Sequence, residues 1–142
     1  MKVSAKVRYG LQLMVELALQ HGRGPVLVPV IAERQELPGK YLHVLFGSLK
    51  AAGLVRAQRG PSGGCELARH PGAISALEVV EALEGRPAAE QEDSATSVGS
   101  RVVAELWARR SRAEQDVLGG TSLAQLAARH QALEVDSYGY SI

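Results

Sequence analysis

The stretch "VPVIAERQELPGKYLHVLFGSLKAAG", residues 28–53, decides the fold. Its first eight residues read as a short helix with Pro29 in the opening turn, where a missing N–H costs little. The tripeptide "ELP" interrupts the pattern. In "GKYLHVLFGSLKAAG", Leu42, Leu45 and Leu49 then recur at helical spacing and share one face, and Gly53 supplies a stop. A short helix, a tight turn and a longer second helix have the spacing of a helix-turn-helix unit.

Beyond Gly53 the period changes. "LVRAQ" reads as a short strand with Leu54 and Val55 entering the core, "CELA" as its partner, and "RGPSGG" as the hairpin tip between them. Two strands and a basic tip directly behind a recognition-type helix make a winged helix. Gly60, Gly63 and Gly64 allow positive φ and close backbone approach, while Pro61 limits flexing, so Arg59 is expected at a defined place near a groove. Taken by itself the loop reads equally as a plain surface hairpin.

Upstream, Ser4 can cap a helix running to about Gln20, with Val7, Leu11, Met14 and Ala18 in period before "HGRGP" breaks it. Downstream, "ISALEVVEALEG" is a helix capped by Ser75, with Leu77, Val80 and Leu83 on one side. "RPAAEQEDSATSVGS" has no periodicity and reads as an exposed connector. A longer helix is expected from about Gly99 to Leu118, with Val102, Val103, Leu106, Trp107 and Val117 as apolar positions. Thr121 or Ser122 can cap a last short helix, "SLAQLAARH", and "EVDSYGYSI" reads as a loose tail. The expected division is 1–85, a winged helix-turn-helix domain; 86–98, the connector; and 99–142, a dimerisation helix and tail. The fold class is mainly α with a small β wing.

Composition narrows the function. The 142 residues are 46% apolar but only 4% aromatic, so the core rests on Leu, Val and Ala. No apolar run approaches a membrane span, and "MKVSAKVRYG" has no apolar stretch followed by a cleavage site, so neither a span nor a signal peptide is expected. A single cysteine suits a reducing compartment, and the expectation is a cytoplasmic protein. Residues 1–70 hold ten Lys/Arg against four Asp/Glu, while residues 71–142 hold six against eleven. A basic front half suits a polyanion, and an acidic rear half suits a protein partner. No Ser-His-Asp, paired-carboxylate or P-loop arrangement is present, so no enzyme is expected.

These strings together resemble the Rrf-type winged-helix transcription regulators, the family of IscR, NsrR and CymR. "SAKVRYGLQLMVELA" looks like the family's opening helix, residues 28–55 like its helix-turn-helix, and "RGPSGGCELAR" like its wing. "ALEG", "ELW" and "SLAQLAARH" then follow in the family's order. The resemblance implies a homodimer paired through the long helix, with Val103, Leu106 and Trp107 at the contact, and a near-palindromic operator in double-stranded DNA. It places Pro38, Gly39, Lys40, Tyr41, His43 and Val44 at or near the major groove, and Arg59 in the wing. Side-chain chemistry adds that Lys40 and Lys50 suit phosphates, Arg59 a narrow A·T-rich groove, and His43 and Tyr41 base edges. Tyr41 reads equally as a packed aromatic linking helix to wing.

The departures from the family are as informative. Its iron–sulfur members carry three cysteines between "LEG" and the "LW" pair, with a histidine close before that pair. Here the interval is "RPAAEQEDSATSVGSRVVAE", without cysteine or histidine; Ala104 and Arg101 stand at two of the expected ligand positions. Arg8 stands near the place of an acidic ligand that some members use. No cofactor and no metal is therefore expected. Cys65 remains either a redox sensor, with Arg59 or Arg69 favouring its thiolate, or a small buried filler. The reading is a homodimeric DNA-binding regulator, in sense a repressor, without a cluster. The alternative is a winged-helix protein acting through protein contact, as a scaffold or as a regulator controlled by a bound metabolic enzyme.

Overall fold

Ser4 opens the first helix, α1 (Ala5–Leu19), by accepting a hydrogen bond from the Val7 amide at 3.2 Å. A computed structural model describes residues 4–61, 63–85 and 97–139. Helix α2 (Val28–Arg34) carries Pro29 in its first turn, and α3 (Gly39–Ala51) follows after a short turn. That turn places Glu36 at φ 53°, a left-handed conformation that side chains other than Gly, Asn and Asp seldom adopt. Gly53, at φ 73°, ends α3 as expected.

The wing is an antiparallel pair, β1 (Val55–Gln58) and β2 (Gly64–Leu67), in the register Val55↔Leu67 to Gln58↔Gly64. On its other edge β2 bonds the approach to α2. The amides of Val26 and Cys65 each donate to the other's carbonyl at 2.8 Å. The wing is thereby tied to the start of the helix-turn-helix through β2, while β1 packs against α3 at its end.

A 3-10 turn (Pro71–Ala73) leads into α4 (Ala76–Glu84). Ser75 and Glu78 form a reciprocal capping box there, satisfying two amides that would otherwise lack partners. The buried face of α4 is Ala76, Val79 and Leu83. Of the expected set Leu77, Val80 and Leu83, only Leu83 is fully buried, and Leu77 and Val80 are half-buried. The expected face was offset because both stripes fit a 3.6 period over nine residues, and packing against α1 selects one of them. Leu83 lies so close to Gly10 that any side chain at Gly10 would collide with it.

Two long elements complete the chain, α5 (Val98–Gly119), capped by Ser97, and α6 (Leu123–Gly139). Residues 86–96 of the expected connector lie outside the described residues. Ser122, not Thr121, caps α6: it accepts from the Gln125 amide at 3.1 Å, and its own amide donates to Gln125 at 2.8 Å. The loose tail expected over residues 134–142 is corrected for 134–139, since α6 runs to Gly139, and residues 140–142 lie outside the described residues. No proline or glycine interrupts residues 134–138, and His130 stands 3.5 Å from Glu134 one turn on.

The core is one cluster. Leu13, Met14 and Leu17 from α1 meet Ile31, Leu45, Leu49, Leu67, Ile74 and Val79. Leu123 and Ala127 of α6 join it, and the Leu123 amide donates to the Ile74 carbonyl. No helix among the described residues is long and apolar enough to cross a membrane.

Candidate nucleic-acid interface

Helix α3 divides cleanly into two faces. Leu42, Leu45 and Leu49 are buried, while Gly39, Lys40, His43, Val44, Gly47 and Lys50 are exposed on the opposite side. Pro38 is half-buried as the N-cap. The leucines anchor the helix, and the outward stripe is free for a ligand.

Tyr41 is half-buried, with its ring centroid 5.6 Å from that of Tyr9 on α1. It therefore packs α3 onto α1, a different neighbour from the wing suggested by sequence. The Lys40 ammonium sits 5.1 Å from the Tyr41 ring centroid, a cation–π contact that holds the lysine near the helix start.

The wing presents Arg56, Arg59, Gly60 and Pro61 to solvent. Arg56 lies 3.8 Å from its cross-strand neighbour Glu66, and Arg69 lies 2.7 Å from Glu78. Among the described residues no carboxylate engages Arg59, Lys40 or Lys50, so these three cations are available to an external anion. The glycines act in two ways. Gly60 and Gly64 take φ of 105° and 140°, whereas Gly63 does not need positive φ. Gly63 is required for space instead, because a Cβ there would run into the Gln58 and Gly60 carbonyls.

Cys65 is 1% exposed, and burial pushes its thiol up to about 12. Neither Arg59 nor Arg69 lowers it, so thiolate is scarce near neutral pH.

One residue that holds the reading head was missed by sequence reading. Glu16, an acidic side chain, is only 3% exposed on α1. Arg34 Nη1 and Gln35 Nε2, at the end of α2, donate to its two carboxylate oxygens at 3.0 Å each, and Gln20 Nε2 donates at 3.4 Å. Hydrogen bonds to a charged group contribute about 1.5–3 kcal/mol, so this clasp fixes α2 against α1. Its only sequence signal is an acidic residue on an otherwise apolar helix face.

A helix-turn-helix with a pinned wing, both presenting uncommitted cations, defines a winged-helix transcription regulator. A family model described as "Rrf2: Iron-dependent Transcriptional regulator" matches residues 3–129, and the chain belongs to that family. It is similar to the HTH-type transcriptional regulator CymR of Bacillus subtilis, 41% identical over 129 residues that cover 89% of this chain and 90% of CymR. The solved structure described as CymR, the global cysteine regulator of B. subtilis, superposes with a TM-score of 0.78 at 40% identity, covering 91% of this chain and 98% of that one. A solved structure of IscR from T. potens superposes with a TM-score of 0.77 at 35% identity, covering 92% and 88%.

The iron in the family's description does not fit this chain. A cluster requires several thiolate or imidazole donors converging on iron. The one cysteine is buried in the core with its thiol held protonated, and no group of three or more His, Cys, Asp or Glu able to hold a metal occurs among the described residues. Arg101 and Ala104, which the sequence resemblance sets at two expected ligand positions, stand exposed on α5.

Proposed function

We propose that the protein is a homodimeric, sequence-specific repressor that binds a near-palindromic site in double-stranded DNA, is not an enzyme, and works without an iron–sulfur cluster. The observation that carries the DNA-reading part is the outward face of α3 beside Arg59, where Lys40, Lys50 and Arg59 have no carboxylate partner among the described residues and stand on elements packed on one core. On this reading Lys40 and Lys50 hold phosphates, His43 and its neighbours face the major groove, and Arg59 enters the minor groove at the wing, positioned by Gly60, Gly63 and Gly64. Pro38 and Gly39 set where α3 enters the groove, and Tyr41 positions Lys40 rather than touching bases.

Dimerisation is assigned to α5. Val103, Leu106 and Trp107 are exposed there, at 51%, 54% and 48%, in a helix that buries none of its residues among those described. Pairing with a second copy would cover this surface and set two reading heads a fixed distance apart. Cys65 is a core residue on this account, not a switch, so the regulating signal enters elsewhere.

A salt titration on random duplex DNA tests the reading. The expected result is a log–log slope steep enough for several phosphate contacts, retained at lower affinity than for a selected site. Binding that ignores salt, or no binding at all, would contradict it and favour action through protein contact.

A further inference from the structure

Ten large apolar side chains stand exposed among the described residues. Six lie on α5 and two, Leu133 and Val135, on α6, while Leu27 is the N-cap of α2. The tenth is Val44, 56% exposed in the middle of α3. It belongs neither to the core nor to the α5 stripe. Lys40, His43, Val44 and Gly47 fall at i, i+3, i+4 and i+7, so they share one face of the helix. Lys40 is drawn over the Tyr41 ring, and a methyl group placed on Gly47 would meet nothing within 4 Å. The Val44 isopropyl group is thus open to an approaching surface, with no bulky neighbour one turn further along.

We propose that Val44 reads the 5-methyl group of a thymine in the major groove. This rests on the DNA-reading function above and names what one of its residues recognises. Valine has no donor or acceptor, so it cannot pair with the nitrogen and oxygen atoms on the base edges. The apolar feature that a base pair displays in the major groove is the thymine methyl. Seating that methyl against Val44 removes both from water. A polar base edge placed there would instead lose hydration without a hydrogen bond in return. The contact discriminates thymine from its methyl-free counterpart, deoxyuridine, by about fourfold, the factor expected for burying one methyl-sized group.

The test starts from a site enriched by the full-length protein from a random duplex library. Each thymine in it is then replaced singly by deoxyuridine, which removes only the methyl. With the wild-type protein at least one replacement should weaken binding about fourfold, and 5-methylcytosine placed there should bind better than cytosine. Val44→Ala should bind the parent site more weakly, lose its sensitivity at that thymine, and keep the same salt slope because no charge has changed. Alanine is a strong helix former and Val44 is exposed, so the melting temperature should hold; should it fall, Val44→Ser, which also removes both methyl groups, serves as the second variant with the same expected loss of methyl sensitivity. Two results would overturn the inference: no thymine whose methyl matters to the wild type, or a methyl effect of equal size in wild type and variant. If the library yields no enriched sequence, the DNA-reading function itself fails and this inference fails with it.

Discussion

In α3, Leu42, Leu45 and Leu49 are all buried; in α5, Val102, Val103, Leu106 and Trp107 also recur at helical spacing, yet each remains between 48% and 60% exposed. Periodicity identifies which side chains share a face but not what covers that face. Helix α3 is wrapped by α1, α2, α4 and β1, so its stripe is satisfied within the chain. Helix α5 follows the connector and touches α4 along one side, which leaves its apolar stripe without a cover. The lesson is one of topology. A stripe in the middle of a closed core contributes to folding, whereas a stripe on a projecting helix is free to contribute to association.

That contrast can be broken most severely from the core side. Leu49→Ala opens a cavity beneath the reading head and should cost about 2–5 kcal/mol of stability, read as a lower urea midpoint. A change below the reproducibility of the titration would show that α3 is not anchored as described. The next largest effect belongs to the wing. Arg59→Ala should cost about 1–3 kcal/mol in specific DNA affinity and reduce the salt slope by about one, while leaving the urea midpoint in place. Equal affinity at two salt concentrations would remove Arg59 from the interface. Ser75→Ala deletes half of the capping box and should destabilise by about 1 kcal/mol, with DNA affinity unchanged once both proteins are folded.

The smallest effect is a pH dependence at the same cap. Burial alone would raise the Glu78 carboxyl, but hydrogen bonds from Arg69 and the Ser75 amide, with the charge of Arg69, outweigh it and hold the group below the usual carboxylate range. Because the folded value is the lower one, the stabilisation is present above the unfolded carboxylate pKa and is lost as pH falls through the folded value. With both side chains near the surface the contribution is well under about 1 kcal/mol. Wild type and Glu78→Gln should therefore differ in melting temperature at pH 7 and converge in acid. A difference that grew in acid would reverse the sign.

Much of the reading head was legible in the sequence because its determinants are local. Pro29, Gly53, Ser4 and Ser75 act within one turn of where they stand, and each holds the expected position. What escaped depends on partners distant in sequence. Glu16 is satisfied by Arg34 and Gln35, on a different helix, and nothing in "MVELA" signals that. Val26 pairs with the other edge of β2 from just beyond the "HGRGP" helix breaker, a position to which the sequence pattern assigns no element. Glu36 takes a left-handed conformation in the turn between α2 and α3, where glycine would be easier and nothing in the side chain announces it. The candidate interface divides in the same way: the exposure of Lys40, His43 and Val44 follows from leucine spacing, whereas Tyr41 met a partner, Tyr9, that spacing could not identify.

The claim that α5 is completed by a second copy is tested most directly by sedimentation velocity on the wild type and the double variant Leu106→Asp, Trp107→Asp, with circular dichroism on the same samples. The wild type should sediment as a dimer at micromolar concentration. The variant should sediment as a monomer with its helix content retained, because α5 contributes no buried residue to the described fold. A monomeric wild type, or a variant that dimerises with undiminished affinity, would contradict the account.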